Sequence, residues 1–399
     1  NKLDCCKPTS IYKNEMKTEL TLLDHSYELL RYPAENQHVS WQAWDSADEY
    51  LMEYVAQNIT DLNGLNIQIY NDDFGALGVW FATNNAPLWI SDSFVAHKAL
   101  ALNLERNHLP IDSVNAQNSL YQVNKKADLV LIKVPKTLAL LEQQLIDLQS
   151  SVTPETRVIA AGKANAIQKS TLALFEKHLG VTTTSLAKKK SRLIFCQYDG
   201  VKQSVSPYPT KWKTDNTLFT ISNLANVFSR QQLDIGARVL LAHLPDANHK
   251  RIVDLGCGNG VLGLHVLHKS PDAHVIFVDE SFMAIASAKM NIEQNMPDKL
   301  GQCEFIVSNC LEEYLSSGEN EATVDIVLCN PPFHQQNTIT DHIALQMFKD
   351  SKRILKHAGE LRVVGNRHLD YPQTIKRLFG HYKVLASDRK FSILSAIKK

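Results

Sequence analysis

The chain repeats itself, and a repeat limits its fold more than any single motif does. VIFVDESFMAIASAKMNIEQN, starting at Val275, is echoed by PLWISDSFVAHKALALNLERN, starting at Pro87. DLGCGNGVLGL from Asp254 stands where the earlier half reads IYNDDFGALGVWF from Ile69. Downstream, DIVLCNPPF (Asp325 to Phe333) answers DLVLIKVPK (Asp128 to Lys136), and the RVVG from Arg362 answers the RVIAAG from Arg157. The repeating unit is about half the chain, so one fold is written twice.

Within each half, short β-branched runs alternate with helical stretches such as Thr137 to Leu148 and Asp341 to Leu355. That order predicts βαβ units around a mostly parallel sheet, a Rossmann-like α/β fold in each copy. Each half closes with two extended runs flanking a charged turn, SLAKKKSRLIFCQ and LASDRKFSILSAI, which read as antiparallel hairpins. The stretch from Gly200 to Asn216, with Pro207 and Pro209, is the predicted junction. The expected division is an extension over 1–40, loosely held, a first domain over 41–205, a linker over 206–215 and a second domain over 216–399.

Composition narrows the function only by exclusion. Forty-two basic side chains balance 42 acidic ones across 399 residues, so a nucleic-acid surface has to come from local clustering. No run approaches a membrane span of roughly 20 apolar residues, and no export signal is visible, so a cytoplasmic protein without a membrane partner is expected. The seven cysteines, Cys5, Cys6, Cys196, Cys257, Cys303, Cys310 and Cys329, lack zinc-ligand spacing. They read as reduced, mostly buried thiols, and no metal is expected.

DLGCGNG lies between a predicted strand and a predicted helix, where Gly256, Gly258 and Gly260 let backbone approach a ligand closely. Asp279 ends the next strand, where a carboxylate can accept from both hydroxyls of a ribose, or can cap the helix that follows Ser281. These features fit a dinucleotide and S-adenosylmethionine equally. NPPF separates them: Asn330, Pro331, Pro332 and Phe333 follow an apolar strand at the carboxyl edge of the sheet. Methyl transfer to an exocyclic amine needs acceptors for its N–H groups and a flat surface for the base. Asn330 and the Pro331 carbonyl can accept, and Phe333 can stack.

Taken together, DLGCGNG, Asp279, Asn309 and NPPFH, with RQQLDIGARVLL upstream and GNRHLDY downstream, resemble the guanine-N2 methyltransferases of small- and large-subunit ribosomal RNA. The resemblance covers nearly the whole chain and is nearest to the large-subunit enzymes. It implies two tandem class I methyltransferase folds from an internal duplication, with a degenerate N-terminal copy. It also implies that Asp254, Gly256, Gly258 and Asp279 hold S-adenosylmethionine, that Asn309 contacts its adenine, and that Asn330 to Phe333 hold the guanine. The implied partner is ribosomal RNA of the large subunit, and a monomer is expected. Other acceptors for the same chemistry are an adenine amine or a glutamine amide; a non-catalytic RNA-binding assembly factor is the reading from another class. His334 and His368 are given no catalytic role.

In the first half Asn71 and Asp73 stand at the places of Gly256 and Gly258, with Phe74 inside the turn. NPPF has become Lys133, Val134, Pro135 and Lys136. The exchange removes the methyl-transfer groups and places two lysines at a sheet edge, which predicts phosphate contact there. Lys188, Lys189, Lys190 and Arg192 form a second basic turn.

Overall fold

In a computed structural model of the chain, residues 16–34, 41–84, 86–332 and 338–399 are described. A hairpin of β1 (Glu19–Leu22) and β2 (His25–Glu28) leads in. The first half then runs α1 (Ser46–Asn58), β3 (Ile67–Tyr70), α2 (Ala76–Phe81), β4 (Leu88–Ser91), α3 (Phe94–Arg106) and β5 (Asn115–Asn118). It continues with β6 (Leu129–Lys133), α4 (Leu138–Leu148), β7 (Arg157–Lys163), α5 (Lys169–His178), β8 (Thr182–Thr184) and β9 (Ser191–Cys196). A second hairpin, β10 (Thr210–Lys213) with β11 (Thr220–Asn223), precedes the other half.

That half runs α6 (Ile235–Leu241), β12 (Arg251–Leu255), α7 (Val261–Lys269), β13 (His274–Asp279), α8 (Phe282–Asn295) and β14 (Cys303–Val307). After these come α9 (Glu312–Leu315), β15 (Val324–Cys329), α10 (Thr338–Ile354), β16 (Leu355–Asn366), α11 (Tyr371–Phe379), β17 (Lys383–Ser387) and β18 (Phe391–Ile397). The seven-stranded sheets have strand orders β5-β4-β3-β6-β7-β9-β8 and β14-β13-β12-β15-β16-β18-β17. These are one topology used twice, parallel except for the closing hairpin strands. The duplicated α/β fold expected from the repeat is present.

Helices cover both faces of each sheet, so central strands such as β3 and β6 are buried along their length and read as continuous apolar runs. Close packing explains one repeated glycine. A Cβ on Gly263 of α7 would meet the Phe277 ring at 2.3 Å, and one on Gly78 of α2 would meet Leu100 at 2.6 Å. Helix and strand approach too closely at both places for any larger residue.

The halves meet through equivalent residues. The Phe94 N–H donates to the Glu280 carbonyl and the Phe282 N–H to the Asp92 carbonyl, both at 3.1 Å. The Val95 N–H donates to Glu280 Oε1 at 3.0 Å, and the Met283 N–H to Asp92 Oδ1 at 2.8 Å. Ser93 and Ser281 form an antiparallel bridge between these contacts, and each caps its own helix. Such reciprocity is the mark of a twofold, self-complementary interface, here inside one chain. The matching SDSF and DESF segments are its sequence trace. It turns the carboxyl edges of the two sheets toward one another.

Two expectations about the ends of the domains need correction. The extension is not loosely held where it is described: Leu20 and Leu29 are 1% exposed in the first half's core, and Asn103 of α3 bonds both the N–H and the carbonyl of Leu30. The stretch 206–215 is not all linker, since β10 pairs with β11 and Trp212 packs on the second half's core. Of the cysteines, Cys196, Cys257, Cys310 and Cys329 are buried free thiols and Cys303 is partly buried; Cys5 and Cys6 lie outside the described residues.

Candidate active site

At the end of β12 the backbone turns through three left-handed glycines, Gly256 (φ 70°), Gly258 (φ 54°) and Gly260 (φ 77°). Gly260 is needed for packing, because a Cβ there would lie 2.9 Å from that of Ala288. Around Gly258 nothing lies within 4 Å of an added Cβ, so this backbone faces open space. The Gly258 N–H donates to Asp279 Oδ2 at 2.9 Å, and the Ser281 N–H to Oδ1 at 3.0 Å. Each carboxylate oxygen keeps a lone pair for a further donor. Burial raises the Asp279 pKa, while these backbone bonds oppose the rise.

Asp254 lies beneath the turn rather than in its wall. It is fully buried, accepts from the Gly263 N–H at 2.9 Å through Oδ2, and has no partner for Oδ1 among the described residues. Burial, followed by the charge of Asp279, pushes its pKa up to about 7. Asn309 donates from Nδ2 to Glu312 at 3.1 Å, and the Tyr32 hydroxyl, from the extension, donates to the same carboxylate at 2.9 Å. Glu312 therefore joins the extension to the second half.

Asn330 follows β15. Its Nδ2 donates to Asp234 Oδ2 at 3.0 Å, and the same oxygen caps α6 by accepting from the Ala237 N–H at 2.8 Å. A carboxylate can only accept, so Asp234 fixes which end of the amide is which. The carboxamide oxygen is thereby left as the acceptor, and among the described residues it has no partner although it is buried. Asp234 was missed in the sequence; its trace is the aspartate of RQQLDIGARVLL. Phe333 and His334 lie outside the described residues, and His368 is exposed.

Gly256, Gly258, Asp279, Asn309, Asn330, Pro331 and Pro332 line one cleft of about 620 Å³, within the range of small-molecule and cofactor sites. Its apolar wall includes Leu255, Val278, Cys310 and Met347. The first half contributes Asp73, Phe74, Ser93, Val95 and Lys136 to the same cleft. Among the described residues no group of three or more His, Cys, Asp or Glu side chains is placed to hold a metal ion. No helix of the described residues is long and apolar enough to cross a membrane.

The corresponding turn of the first half is filled by its own side chains. Asn71 keeps a left-handed backbone (φ 60°), and its amide donates to the Lys133 carbonyl at 3.1 Å and exchanges 2.8 Å bonds with Gln144. Lys133 does not sit at an open edge. It is 5% exposed and donates to Asp45 at 2.9 Å and to Asp48 at 2.7 Å. Burial alone would lower its pKa, but the charges of Asp48 and Asp45 outweigh burial and raise it. The phosphate contact expected of Lys133 is thus replaced by an internal ion pair. Lys189 is likewise paired with Glu49 at 2.8 Å, and Lys188 with Glu53. Lys136 alone of these four lysines reaches the cleft.

Known proteins bear on the same regions. Residues 17–200 match the RLMG N-terminal domain and residues 218–395 the methyltransferase small domain. The chain is 95% identical over 384 residues to a ribosomal RNA large subunit methyltransferase G of Pseudoalteromonas atlantica, covering 96% of this chain and 100% of that one. The chain belongs to this family. A ribosomal RNA large subunit methyltransferase G from Klebsiella pneumoniae is 52% identical over 372 residues, 93% of this chain and 96% of its own. Among solved structures, a T. thermophilus 16S rRNA guanine N2 methyltransferase in complex with AdoMet and guanosine superposes with a TM-score of 0.74. It is 19% identical, with 96% of this chain and 98% of that chain covered, so the two share their fold across both halves.

Proposed function

We propose that the chain is an S-adenosylmethionine-dependent methyltransferase acting on the exocyclic N2 of a guanine in large-subunit ribosomal RNA. The observation that carries this reading is the Asn330 carboxamide oxygen, buried without a partner among the described residues beside a cleft of cofactor size. Membership of the large subunit methyltransferase G family supports RNA as the acceptor.

The residues present suit the cofactor. Gly256 and Gly258 bring bare backbone to the cleft, Asp279 offers two oxygens to a ribose, Asn309 lines the same cleft and is assigned to the adenine, and Asp254 braces the turn from below. S-adenosylmethionine supplies a methyl group activated by its sulfonium. The chain's part is to present the amine. The lone pair of an aryl amine is delocalised into the ring, and N–H bonds to Asn330 Oδ1 and the Pro331 carbonyl favour the pyramidal nitrogen that attack requires. Phe333 supplies a stacking ring, as NPPF suggests, and the base reaches the cleft by extrusion from its helix or loop. Residues 41–205 serve as RNA-positioning domain and 216–399 as catalytic domain of a cytoplasmic monomer.

The test is methylation of protein-free 23S ribosomal RNA by the purified chain, followed by mass mapping. One N2-methylguanine is expected. Asn330→Ala should lower the rate about 10²–10³-fold while leaving the Kd for S-adenosylmethionine within a factor of two or so. Methylation of adenine alone, or equal losses of rate and cofactor affinity, would refute the assignment.

A further inference from the structure

The cleft is acidic. Asp73, Asp234 and Asp279 line it, and among the described residues Lys136 is its one Lys or Arg. A polynucleotide entering such a cleft brings phosphates past these carboxylates and requires a cation to offset them. Lys136 is exposed, and no carboxylate among the described residues pairs with it, in contrast to Lys133, Lys188 and Lys189. The interlocked Asp92 and Glu280 loops bring it there from the other half.

A second feature of the cleft wall is unused by the methyl-transfer groups. Phe228, between β11 and α6, is 63% exposed while lining the cleft. An exposed aromatic face on the wall of a ligand cleft is the form of site that holds an unstacked base.

We propose that Lys136 of the first half and Phe228 of the second form a strand-gripping subsite, holding the phosphate and base of a nucleotide that flanks the target guanine. The proposal rests on RNA being the substrate. It makes the degenerate half part of the active cleft and gives Lys136 a positioning role.

The two contacts leave different signatures in filter binding of the full chain to protein-free 23S ribosomal RNA across a salt series. Lys136→Ala should weaken binding roughly tenfold and lower the log–log salt slope by about 0.7–0.9, with Lys136→Arg restoring both. Phe228→Ala should weaken binding by a similar factor with the slope kept, because stacking releases no counterion. In the methylation assay both losses should fall on KM for RNA more than on kcat. The Kd for S-adenosylmethionine should match the parent. Unchanged affinity and slope in Lys136→Ala, or a parallel loss of cofactor affinity, overturns the phosphate contact. A change of slope in Phe228→Ala overturns the stacking role. Should the parent bind 23S ribosomal RNA but not methylate it, the functional reading fails while the binding measurements still decide the subsite.

Discussion

The two glycine turns sit at the same place in the same topology, yet one is open and the other is full. In the second half a Cβ at Gly258 would meet nothing, and Asn330 keeps an acceptor spare. In the first half Asn71 is locked to Gln144 and to the Lys133 carbonyl. What survives in both is scaffolding. A helix-capping aspartate bonds the residue at the carboxyl end of the fourth core strand, Asp234 to Asn330 in one half and Asp45 to Lys133 in the other. A buried carboxylate still holds the N–H of the packed helix glycine, although it comes from Asp254 in one half and from Asp72 in the other. By strand register Asp254 matches Ile69, so the acid has moved three positions along the chain. Losing the cofactor site required filling a turn, not dismantling a fold.

The largest expected effect comes from giving the first half the second half's residue. Lys133→Asn recreates the Asp–Asn contact but leaves Asp48, whose counterpart is Ala237, buried without its cation. Removing one partner of a buried pair costs about 3–5 kcal/mol, and the drop should be visible in denaturant unfolding of the chain. Adding Asp48→Ala should recover most of it. Neither variant should bind S-adenosylmethionine in the first half, since Asn71 and Gln144 still occupy the turn. If Lys133→Asn folds as well as the parent but loses RNA affinity, the ion pair is not what holds Lys133.

That case also shows where the sequence stops being readable. The repeat, the parallel order and the closing hairpins follow from local alternation, and the glycine turn and NPPF could be placed at strand ends. Lys133 could not be, because its burial depends on Asp45 and Asp48, 88 and 85 positions earlier. Asp234 escaped notice for the same reason: its partner Asn330 is 96 positions away, and only the folded sheet brings them together. The SDSF and DESF segments were legible as a repeat, but nothing local says that they grip each other.

A smaller effect is expected where the halves differ by one side chain at the end of the second strand. Asp279 corresponds to Ser91, and both hold the backbone N–H two residues on, from Ser281 at 3.0 Å and from Ser93 at 3.2 Å. Asp279→Ser should therefore keep the local turn while losing the two charged acceptors for a ribose. Cofactor affinity should fall by about 1–3 kcal/mol, the range for hydrogen bonds to charged groups, with little change in melting temperature. Isothermal titration with S-adenosylmethionine measures it. A loss of stability that exceeds the loss of affinity would make Asp279 a cap rather than a ligand-binding group.

The smallest effect concerns the interface, where the halves meet through equivalent residues. Asp92 is met by Ser119, Asn226, Ser281 and the Met283 N–H, and Glu280 by Ser93 and the Val95 N–H. Among the described residues no cation pairs with either. Burial, with the charges of Asp279 and Asp92 added, pushes Glu280 up to about 8, against a bonding contribution from Ser93 and Val95 that lowers it. Glu280 is protonated in the folded chain at a pH where the unfolded chain has already lost that proton. Stability from this group is therefore full below its ordinary carboxylate range and is lost as pH rises toward 8. Glu280→Gln keeps an acceptor for Ser93 and Val95 and removes the titration, so melting temperature should fall less between pH 5 and about 8 than in the parent. Asp92 is raised in the same direction, so the variant should retain part of the slope. Parallel melting curves for parent and variant across that window would mean that Glu280 is already ionised in the folded chain.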